Sequence, residues 1–241
     1  MHRVLSALLD LVFPSRCAAC DRPVAEPGLC HGCADTTLAG TDACCPLCGA
    51  VWLDPPPGEA QHVCGRCLAE PPPWVEARGA YAYGGALQDA IARWKNKPDE
   101  SIGRPLARLF AAAAPRAGWV GLAADAVVVP VPASARGLAQ RGFNPAGVLG
   151  RGLARGIQRR FEPTALRLRR TPEKSHGLGR RARERRMRGV FEAEPRRVAG
   201  RTIVLVDDVM TTGATVRAAT EALLRAGARG VRVAVLARVP G

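Results

Sequence analysis

The sequence is short of acidic residues and of lysine. It has 21 Asp and Glu against 35 Lys and Arg in 241 residues, so the formal net charge is +14. Lysine occurs only at positions 95, 97 and 174, and arginine therefore supplies nearly all of the positive charge. A surface of this sign is expected to attract polyanions or phosphorylated ligands.

Long apolar runs are missing as well. No stretch reaches the roughly 18 apolar residues that a membrane-spanning helix needs. Residues 1–14 have the basic start and apolar stretch of a secretory signal, but Asp10 interrupts that stretch and no small-residue cleavage site precedes the cysteines. We interpret 1–14 as a short amphipathic helix. We predict a cytoplasmic protein, with docking at the periphery of the inner membrane face as the alternative.

Cysteine is absent after residue 67, whereas nine cysteines lie between positions 17 and 67. Two Cys-x-x-Cys pairs supply the four thiolates of a tetrahedral structural zinc site, which leaves no open position for a substrate. We therefore predict a double zinc ribbon over 15–70 with two structural zinc ions. Its ligands would be Cys17, Cys20, Cys30, Cys33, Cys45, Cys48, Cys64 and Cys67, with Cys44 left over.

The spacing of these pairs leaves two questions open. Sequential pairing joins the first two pairs at one metal and the last two at the other, while interleaved pairing joins first with third and second with fourth. Iron–sulfur ligation and a disulfide-rich domain are the alternatives to zinc.

The chain changes character after a proline-rich segment, EPPPW. That segment predicts a stiff linker, which we place at 71–75, and a second domain over 76–241. DAVVVPVP (125–132) and the apolar run 203–206 are typical of strands buried on both faces of a parallel sheet. Because strands alternate with helical patterns, we predict an α/β fold with a mostly parallel sheet and helices on both faces.

The other elements rest on shorter patterns. Asn144 and Pro145 predict the N-cap and first residue of a helix that runs to about Arg159. Periodic apolar residues from Ala214 predict a helix that Gly227 ends. The remaining predictions are a strand or hairpin in VEARGAYAYGG, helices in ALQDAIARWKNK and SIGRPLARLFAAAAPRAG, and strands in TALRLRR and VRVAVLARV.

Two aspartates follow the apolar run 203–206 directly and stand just before Thr-Thr-Gly-Ala-Thr. In parallel sheets, ligands bind at the carboxyl ends of the strands. A tight loop that leads into a helix offers unpaired N–H groups to an anion, and the helix dipole adds to the attraction. Asp207 and Asp208 are suited to accept hydrogen bonds from a sugar diol. The combination predicts a ribose 5-phosphate site. It is not a Walker A loop, because no Lys-Ser/Thr follows the glycine.

The stretch VLVDDVMTTGAT resembles the phosphoribosyl pyrophosphate signature of type I phosphoribosyltransferases. Together with CPLCG, CGRCLAEPPPW, VVVPVP, RGFN and the final strand, it makes nearly the whole chain similar to the ComF family. The resemblance implies a type I phosphoribosyltransferase-like domain behind the double zinc ribbon. It also implies phosphoribosyl pyrophosphate with Mg²⁺ as ligand, and a role in handling incoming single-stranded DNA in natural transformation, with other DNA-uptake proteins as further partners.

The resemblance also assigns site residues. Asp207 and Asp208 would hold the ribose diol, and Arg141 and Lys95 would act beside them. The ligand's phosphates would be bound by Val209, Met210, Thr211, Thr212, Gly213, Ala214 and Thr215, and its pyrophosphate by Pro132, Ala133 and Arg136. This chain departs from the family pattern at four places: Asn96 replaces an aromatic residue, Ser175 replaces a glutamine, the asparagine that ends the same motif is lost, and Pro145 follows RGFN.

A strongly basic stretch spans residues 167–188, with ten basic side chains against two glutamates. It is interpreted as a solvated loop, as a flap that closes over pyrophosphate, or as a nucleic-acid contact surface. Only Phe161 and Phe191 lie nearby, so a base-stacking platform is not evident. Our leading hypothesis is contact with single-stranded DNA through Arg180, Arg181, Arg183 and Arg185. The alternatives are an active transferase with a nucleobase-like acceptor, and a regulator that senses the ligand without chemistry.

Overall fold

The computed structural model describes residues 15–25, 28–37, 43–52, 62–96, 100–170 and 180–240, without the side chains at 100, 101, 180, 181, 183 and 184. The predicted amphipathic helix at 1–14 lies outside these ranges. Within them, no helix combines the length and the apolar character needed to cross a membrane.

A parallel five-stranded sheet forms the centre of the protein, as the sequence predicts. Its strands are β1 (Glu76–Ala82), β2 (Val127–Pro130), β3 (Arg160–Phe161), β6 (Thr202–Met210) and β7 (Gly230–Arg238), in the spatial order β1-β7-β6-β2-β3. All four neighbouring pairs are parallel. VEARGAYAYGG thus forms one strand and not a hairpin. TALRLRR contains β4 (Leu166–Leu168), which pairs antiparallel with β5 (Phe191–Ala193) outside the main sheet.

Helices cover both faces of the sheet. They are α1 (His31–Asp35), α2 (Gly65–Ala69), α3 (Gly85–Asn96), α4 (Glu100–Ala112), α5 (Ala135–Arg141), α6 (Pro145–Gly156), α7 (Arg180–Met187), α8 (Pro195–Val198) and α9 (Ala214–Arg225). Alternate residues of each strand point to opposite faces. Accordingly Val204 and Val206 pack with α3, α4 and α6, whereas Ile203 and Leu205 pack with α9.

Strand β6 is longer than the apolar run 203–206, so the prediction that the strand ends at Val206 is wrong. Its ladder with β2 stops at Pro130 opposite Val206, but its ladder with β7 continues to Met210 opposite Arg238. Both aspartates are therefore strand residues, and Asp207 is paired with Val235 of β7. Past Val206 the β2 ladder no longer covers the other edge of β6, which leaves that edge available to a ligand.

Helix α6 begins at Pro145 as predicted, but it ends at Gly156 and so stops short of Arg159. Asn144 occupies the N-cap position without a side-chain capping bond. Its Nδ2 instead donates to the carbonyl of Val131, at 3.0 Å. The asparagine thus ties the segment after β2 to the start of α6, a long-range contact that the capping pattern does not reveal.

The cysteine-rich segment contacts both sides of the sheet domain. The carbonyl of Leu47 accepts hydrogen bonds from the Ala77 N–H of edge strand β1, at 2.9 Å, and from Trp74 Nε1, at 2.7 Å. At the other end of the segment, Arg93 of α3 donates to the carbonyl of Ala19, at 2.7 Å. Trp74, in the predicted linker, is buried in the same apolar cluster as Cys45 and Cys48.

Candidate functional site

Asp207 and Asp208 meet Lys95 at the carboxyl end of the sheet. The Lys95 Nζ lies 2.8 Å from an Asp208 carboxylate oxygen. The Asp208 N–H donates to Asp207 Oδ1 at 2.9 Å, and the Val209 N–H donates to Asp208 Oδ1 at 2.6 Å. Backbone bonds therefore fix both carboxylates. The structure brings together three of the four residues that the sequence assigns to this centre.

Burial raises the pKa of Asp207 from its ordinary value of 3.8 to about 7. The neighbouring Asp208 charge contributes to this rise in pKa, whereas the Asp208 N–H and the Lys95 ammonium oppose it. The Asp207 carboxylate is therefore partly protonated near neutral pH. Asp208, in contact with Lys95, is a suitable charged acceptor, and Asp207 exchanges its proton in the physiological range.

This pKa predicts a pH-dependent stability that Asp207→Asn removes. Between about pH 4 and 7 the folded protein keeps a proton on Asp207 that the unfolded chain has released. The free energy of unfolding should therefore fall as pH rises through this window. Urea unfolding of both proteins across this range checks the prediction. The quantity to follow is the difference in the free energy of unfolding between wild type and variant, because thiol protonation affects both proteins alike. Parallel curves would contradict the prediction.

The loop after β6 borders a cavity of about 300 Å³, a size within the range of small-molecule sites. Its lining includes Asp207 and every residue from Val209 to Val216. All seven residues predicted to bind the ligand's phosphates thus lie on one cavity. The first turn of α9 contributes Ala214, Thr215 and Val216. At the start of α9 the Ala214 N–H donates to Thr212 Oγ1 at 3.4 Å, and the next amides of the first turn lack an intrahelical carbonyl partner, which suits them to bind an anion.

Two features of the structure require glycine at position 213: its backbone conformation and the side chains packed behind it. Its φ is +82°, a left-handed conformation that favours glycine. A Cβ there would lie 2.8 Å from Met210 Cε and 3.3 Å from Trp74 Cη2. The absent side chain thus makes room for Met210 and Trp74 behind the loop, a role that the sequence pattern alone did not suggest.

Gly213→Ala is expected to destabilise the protein and weaken ligand binding, while Gly200→Ala provides a matched control. Gly200 also has a positive φ, of +70°, but a Cβ there would meet nothing within 4 Å. Both variants should lose about 1 kcal/mol from backbone strain. Only Gly213→Ala should also shift Met210 and lower phosphoribosyl pyrophosphate affinity, measured by calorimetry. Equal affinities in the two variants would contradict this role.

The segment after β2 approaches the same end of the sheet. The Val131 N–H donates to the carbonyl of Val206, at 2.8 Å, and so places Pro132 and Ala133 next to the free edge of β6. Ser134 then caps α5, because its Oγ accepts from the Gly137 N–H at 3.1 Å. The segment predicted to bind pyrophosphate therefore lies at the same end of the sheet as the two aspartates.

The two predicted arginines of α5 lie apart from the aspartates. Arg136 is exposed, and the Arg141 guanidinium lies beside Gly137 of its own helix. Among the described residues, no hydrogen bond or ion pair joins either arginine to Asp207 or Asp208. Phe143, the aromatic residue of RGFN, stacks on Trp94 at 5.1 Å between ring centroids. That contact supports the helix turn that carries Lys95.

The arginine-rich stretch is partly helical. Arg180, Arg181, Arg183 and Arg185 belong to α7, where Arg185 is exposed and the other three side chains are not described. Ser175 falls among residues 171–179, outside the described ranges. Met187, the last residue of α7, is buried and lines the cavity. The sequence analysis missed this contact, although a single apolar residue within RRMR was a signal for it.

The cysteines form two four-membered clusters with sequential pairing, which resolves the question that spacing left open. Cys17, Cys20, Cys30 and Cys33 form the first, and Cys45, Cys48, Cys64 and Cys67 the second. Within each, all Sγ atoms lie within 4.8 Å of one another. The Cys20–Cys30 and Cys48–Cys64 Sγ separations are 3.6 and 3.7 Å. Tetrahedral zinc with bonds of about 2.3 Å places sulfurs about 3.8 Å apart, so the clusters fit zinc.

Cys44 stays outside both clusters. It is buried and forms an isolated antiparallel bridge with Val51. At the second cluster, burial tends to raise the pKa of Cys48, but the Ala50 N–H and the Arg66 guanidinium outweigh it and lower the pKa to about 6. Such an environment favours the thiolate that binds zinc.

Two matches with known domain families agree with this architecture. Residues 137–241 match the phosphoribosyl transferase domain, and residues 8–68 match the double zinc ribbon domain. The protein is therefore a phosphoribosyltransferase-like α/β protein with an N-terminal double zinc ribbon, and the ribbon match and the clusters together support two structural zinc sites.

Relatives that span nearly the whole chain show its family. DNA utilization protein YhgH of Escherichia coli (strain K12) is 34% identical over 95% of this chain and 99% of its own length. Competence protein F of Haemophilus influenzae is 29% identical over 94% of this chain and 98% of its own length. Competence protein ComFC of Bacillus subtilis is 25% identical over 94% and 91%, respectively. The chain belongs to the ComF family.

Proposed function

We propose that this protein binds phosphoribosyl pyrophosphate with Mg²⁺ at the carboxyl end of β6 and handles single-stranded DNA during DNA uptake. One observation carries the ligand assignment: Asp207, which is next to Asp208 in β6, and the N-terminus of α9 border the same cavity of about 300 Å³. Carboxylates and helix amides recognise the two ends of a ribose 5-phosphate, which are a diol and an anion.

In this proposal each part of the site contacts one part of the ligand. Asp207 and Asp208 accept hydrogen bonds from the ribose hydroxyls, and residues 211–215 surround the 5-phosphate. The segment with Pro132 and Ala133 faces the pyrophosphate. Lys95, which holds Asp208, adds a positive charge at the position where the diol and the leaving group meet.

The DNA assignment rests on charge and on the relatives. The chain carries a formal charge of +14, and ten basic residues are concentrated in 167–188. Its relatives carry the names DNA utilization protein and competence protein. Phosphate contacts by arginine supply most of the sequence-independent affinity for nucleic acid. We therefore assign single-stranded DNA contact to the arginines of α7 and their neighbours.

Salt dependence tests the DNA assignment. Single-stranded DNA should bind wild-type protein near physiological ionic strength, with a log–log slope of about −0.7 per phosphate neutralised. Reversing the charge of Arg180, Arg181, Arg183 and Arg185 should reduce that slope by several units and leave phosphoribosyl pyrophosphate binding nearly intact. Fluorescence anisotropy across a salt series measures both.

A matched control separates a DNA site from general basicity. The control reverses the charge of four exposed arginines outside α7 and so changes the net charge by the same amount. They are Arg22, Arg108, Arg151 and Arg155. This control should leave most of the slope unchanged. Equal effects of both sets would show that any positive surface suffices, and the α7 assignment would then be wrong.

An active transferase is the second candidate, because Met187 brings the end of arginine-rich α7 to the cavity. A helix there is placed to neutralise a pyrophosphate leaving group. The α7 charge reversals would then weaken pyrophosphate-bearing ligands more than DNA. Nucleobase-dependent release of pyrophosphate by the purified protein, without DNA binding at physiological salt, would reverse the ranking. A protein that binds the ligand but releases none would match the sensing regulator.

A further inference from the structure

Arg238 connects the second cysteine cluster to the phosphate loop. It lies at the end of β7 and is 3% exposed. Its Nε donates to the carbonyl of Cys48 at 3.1 Å, and its Nη1 donates to the carbonyls of Met210 at 3.0 Å and Thr211 at 2.8 Å. One side chain thus contacts a zinc-ligand residue, the last residue of the strand that carries the aspartates and the first residue after it.

A buried guanidinium needs compensation for its lost hydration. Arg238 contacts the backbone of Cys48, one of the four cysteines of the second cluster. Four thiolates around one Zn²⁺ carry a net negative charge that persists while the metal is bound. The metal centre therefore supplies the countercharge that keeps Arg238 in place, and the position of Arg238 depends on the metal.

Trp74 provides a second connection between the same two parts. Its Nε1 donates to the carbonyl of Leu47, which lies between Cys45 and Cys48, at 2.7 Å. Its ring packs behind Gly213, where a Cβ would lie 3.3 Å from Cη2. The Arg217 guanidinium of α9 lies over the other part of the ring, 5.8 Å from its centroid. Movement of the turn between Cys45 and Cys48 would therefore displace both Met210 and the start of α9.

We propose that Arg238 is a positioning residue through which zinc in the second cluster holds the phosphate loop in its anion-binding conformation. This inference rests on the proposed function of the loop. Because coupling between two binding sites is reciprocal in free energy, zinc favours the phosphoribosyl ligand and the ligand tightens zinc binding. We expect the tighter binding to appear as slower zinc release. The first cluster, which packs against α3, does not share this connection.

Arg238→Lys tests the coupling, because lysine keeps the charge but cannot span three carbonyls. The dissociation constant for phosphoribosyl pyrophosphate with Mg²⁺ should rise about tenfold, within the usual range of coupling between sites. Zinc release to a chromogenic chelator should become faster from one of the two sites. Saturating ligand should slow that phase in the wild type and have little effect in the variant. A Cys20→Ser background, in which the first cluster lacks one ligand, assigns the phase to the second cluster.

Arg232→Lys is the matched control. Arg232 lies on the same strand, where it pairs with Glu76 near the opposite end of the sheet. It should change neither ligand affinity nor zinc release. If Arg238→Lys fails to fold, Trp74→Phe is the second variant, because it keeps a ring behind Gly213 and loses the bond to Leu47; a smaller loss in both readouts is then expected.

The outcomes separate this inference from the proposed function. If wild-type protein binds no phosphoribosyl pyrophosphate, the proposed function is wrong and the coupling falls with it. If the wild type binds the ligand and Arg238→Lys binds it equally well, the proposed function stands and the coupling is wrong. Unchanged zinc release in the presence of ligand would also overturn the coupling.

Discussion

Replacement of both Asp207 and Asp208 by alanine should abolish the stabilisation that phosphoribosyl pyrophosphate gives to the wild-type protein. At a ligand concentration about a hundred times Kd, a single site adds about 2.7 kcal/mol to the free energy of unfolding. For a chain of this size that corresponds to a rise in Tm of about 5–10 °C. The double variant lacks the proposed diol acceptors, so its Tm should not respond to the ligand. Thermal scans with and without ligand and Mg²⁺ measure this effect.

Loss of the response would not merely reflect a damaged fold. The raised pKa of Asp207 shows that its ionised form is disfavoured in the folded protein, and Lys95 is partly exposed to water, so it stays hydrated when Asp208 is removed. The unliganded double variant should therefore melt near the wild-type temperature above pH 7. Asp125→Ala is the control. Asp125 precedes β2 in the chain and forms an ion pair with Arg229 at the opposite end of the sheet. Full ligand protection in the double variant would refute the proposed site.

The largest loss of stability is expected when a ligand of the second zinc cluster is removed. Cys48 is 1% exposed and packs with Trp74, Ala77 and Met210 in the main apolar cluster. Structural zinc supplies about 10–16 kcal/mol of apparent binding free energy in zinc-finger peptides, which is as large as the total stability of a typical domain, about 5–15 kcal/mol. Cys48→Ser should therefore unfold most of the protein, as urea titration and circular dichroism would show.

Cys20→Ser is the comparison variant, because Cys20 is an exposed member of the first cluster. It should lose one zinc ion and keep the sheet cooperatively folded. Elemental analysis should find close to two zinc ions in the wild type, in agreement with the two clusters. Iron with labile sulfide, or four disulfides without metal, would contradict zinc ligation. If the two serine variants were equally destabilised, the second cluster would not contribute more to the stability of the sheet domain than the first, and this prediction would be wrong.

The sequence by itself determined the features that depend on local pattern. Four Cys-x-x-Cys pairs predicted zinc ribbons because two thiolates two residues apart converge on one metal. Continuous apolar runs predicted buried parallel strands, because such strands lack a solvent face. The stretch VLVDDVMTTGAT was enough to predict the ligand site, because its aspartates and the loop after them are consecutive in the chain. All seven predicted phosphate-loop residues do lie together.

The tertiary structure alone decided what depends on neighbours distant in sequence. Strand β6 continues through both aspartates because β7 is beside it, not because of its own residues. The positions of the cysteine sulfurs show sequential pairing, which the spacing of the pairs had left open. Arg238 is a charged residue at the end of an apolar strand, and only its burial beside Cys48 and the loop shows its role. The position of a residue within the repeat of its own strand or helix determines which face it occupies. Its contacts with other elements depend on how those elements pack together.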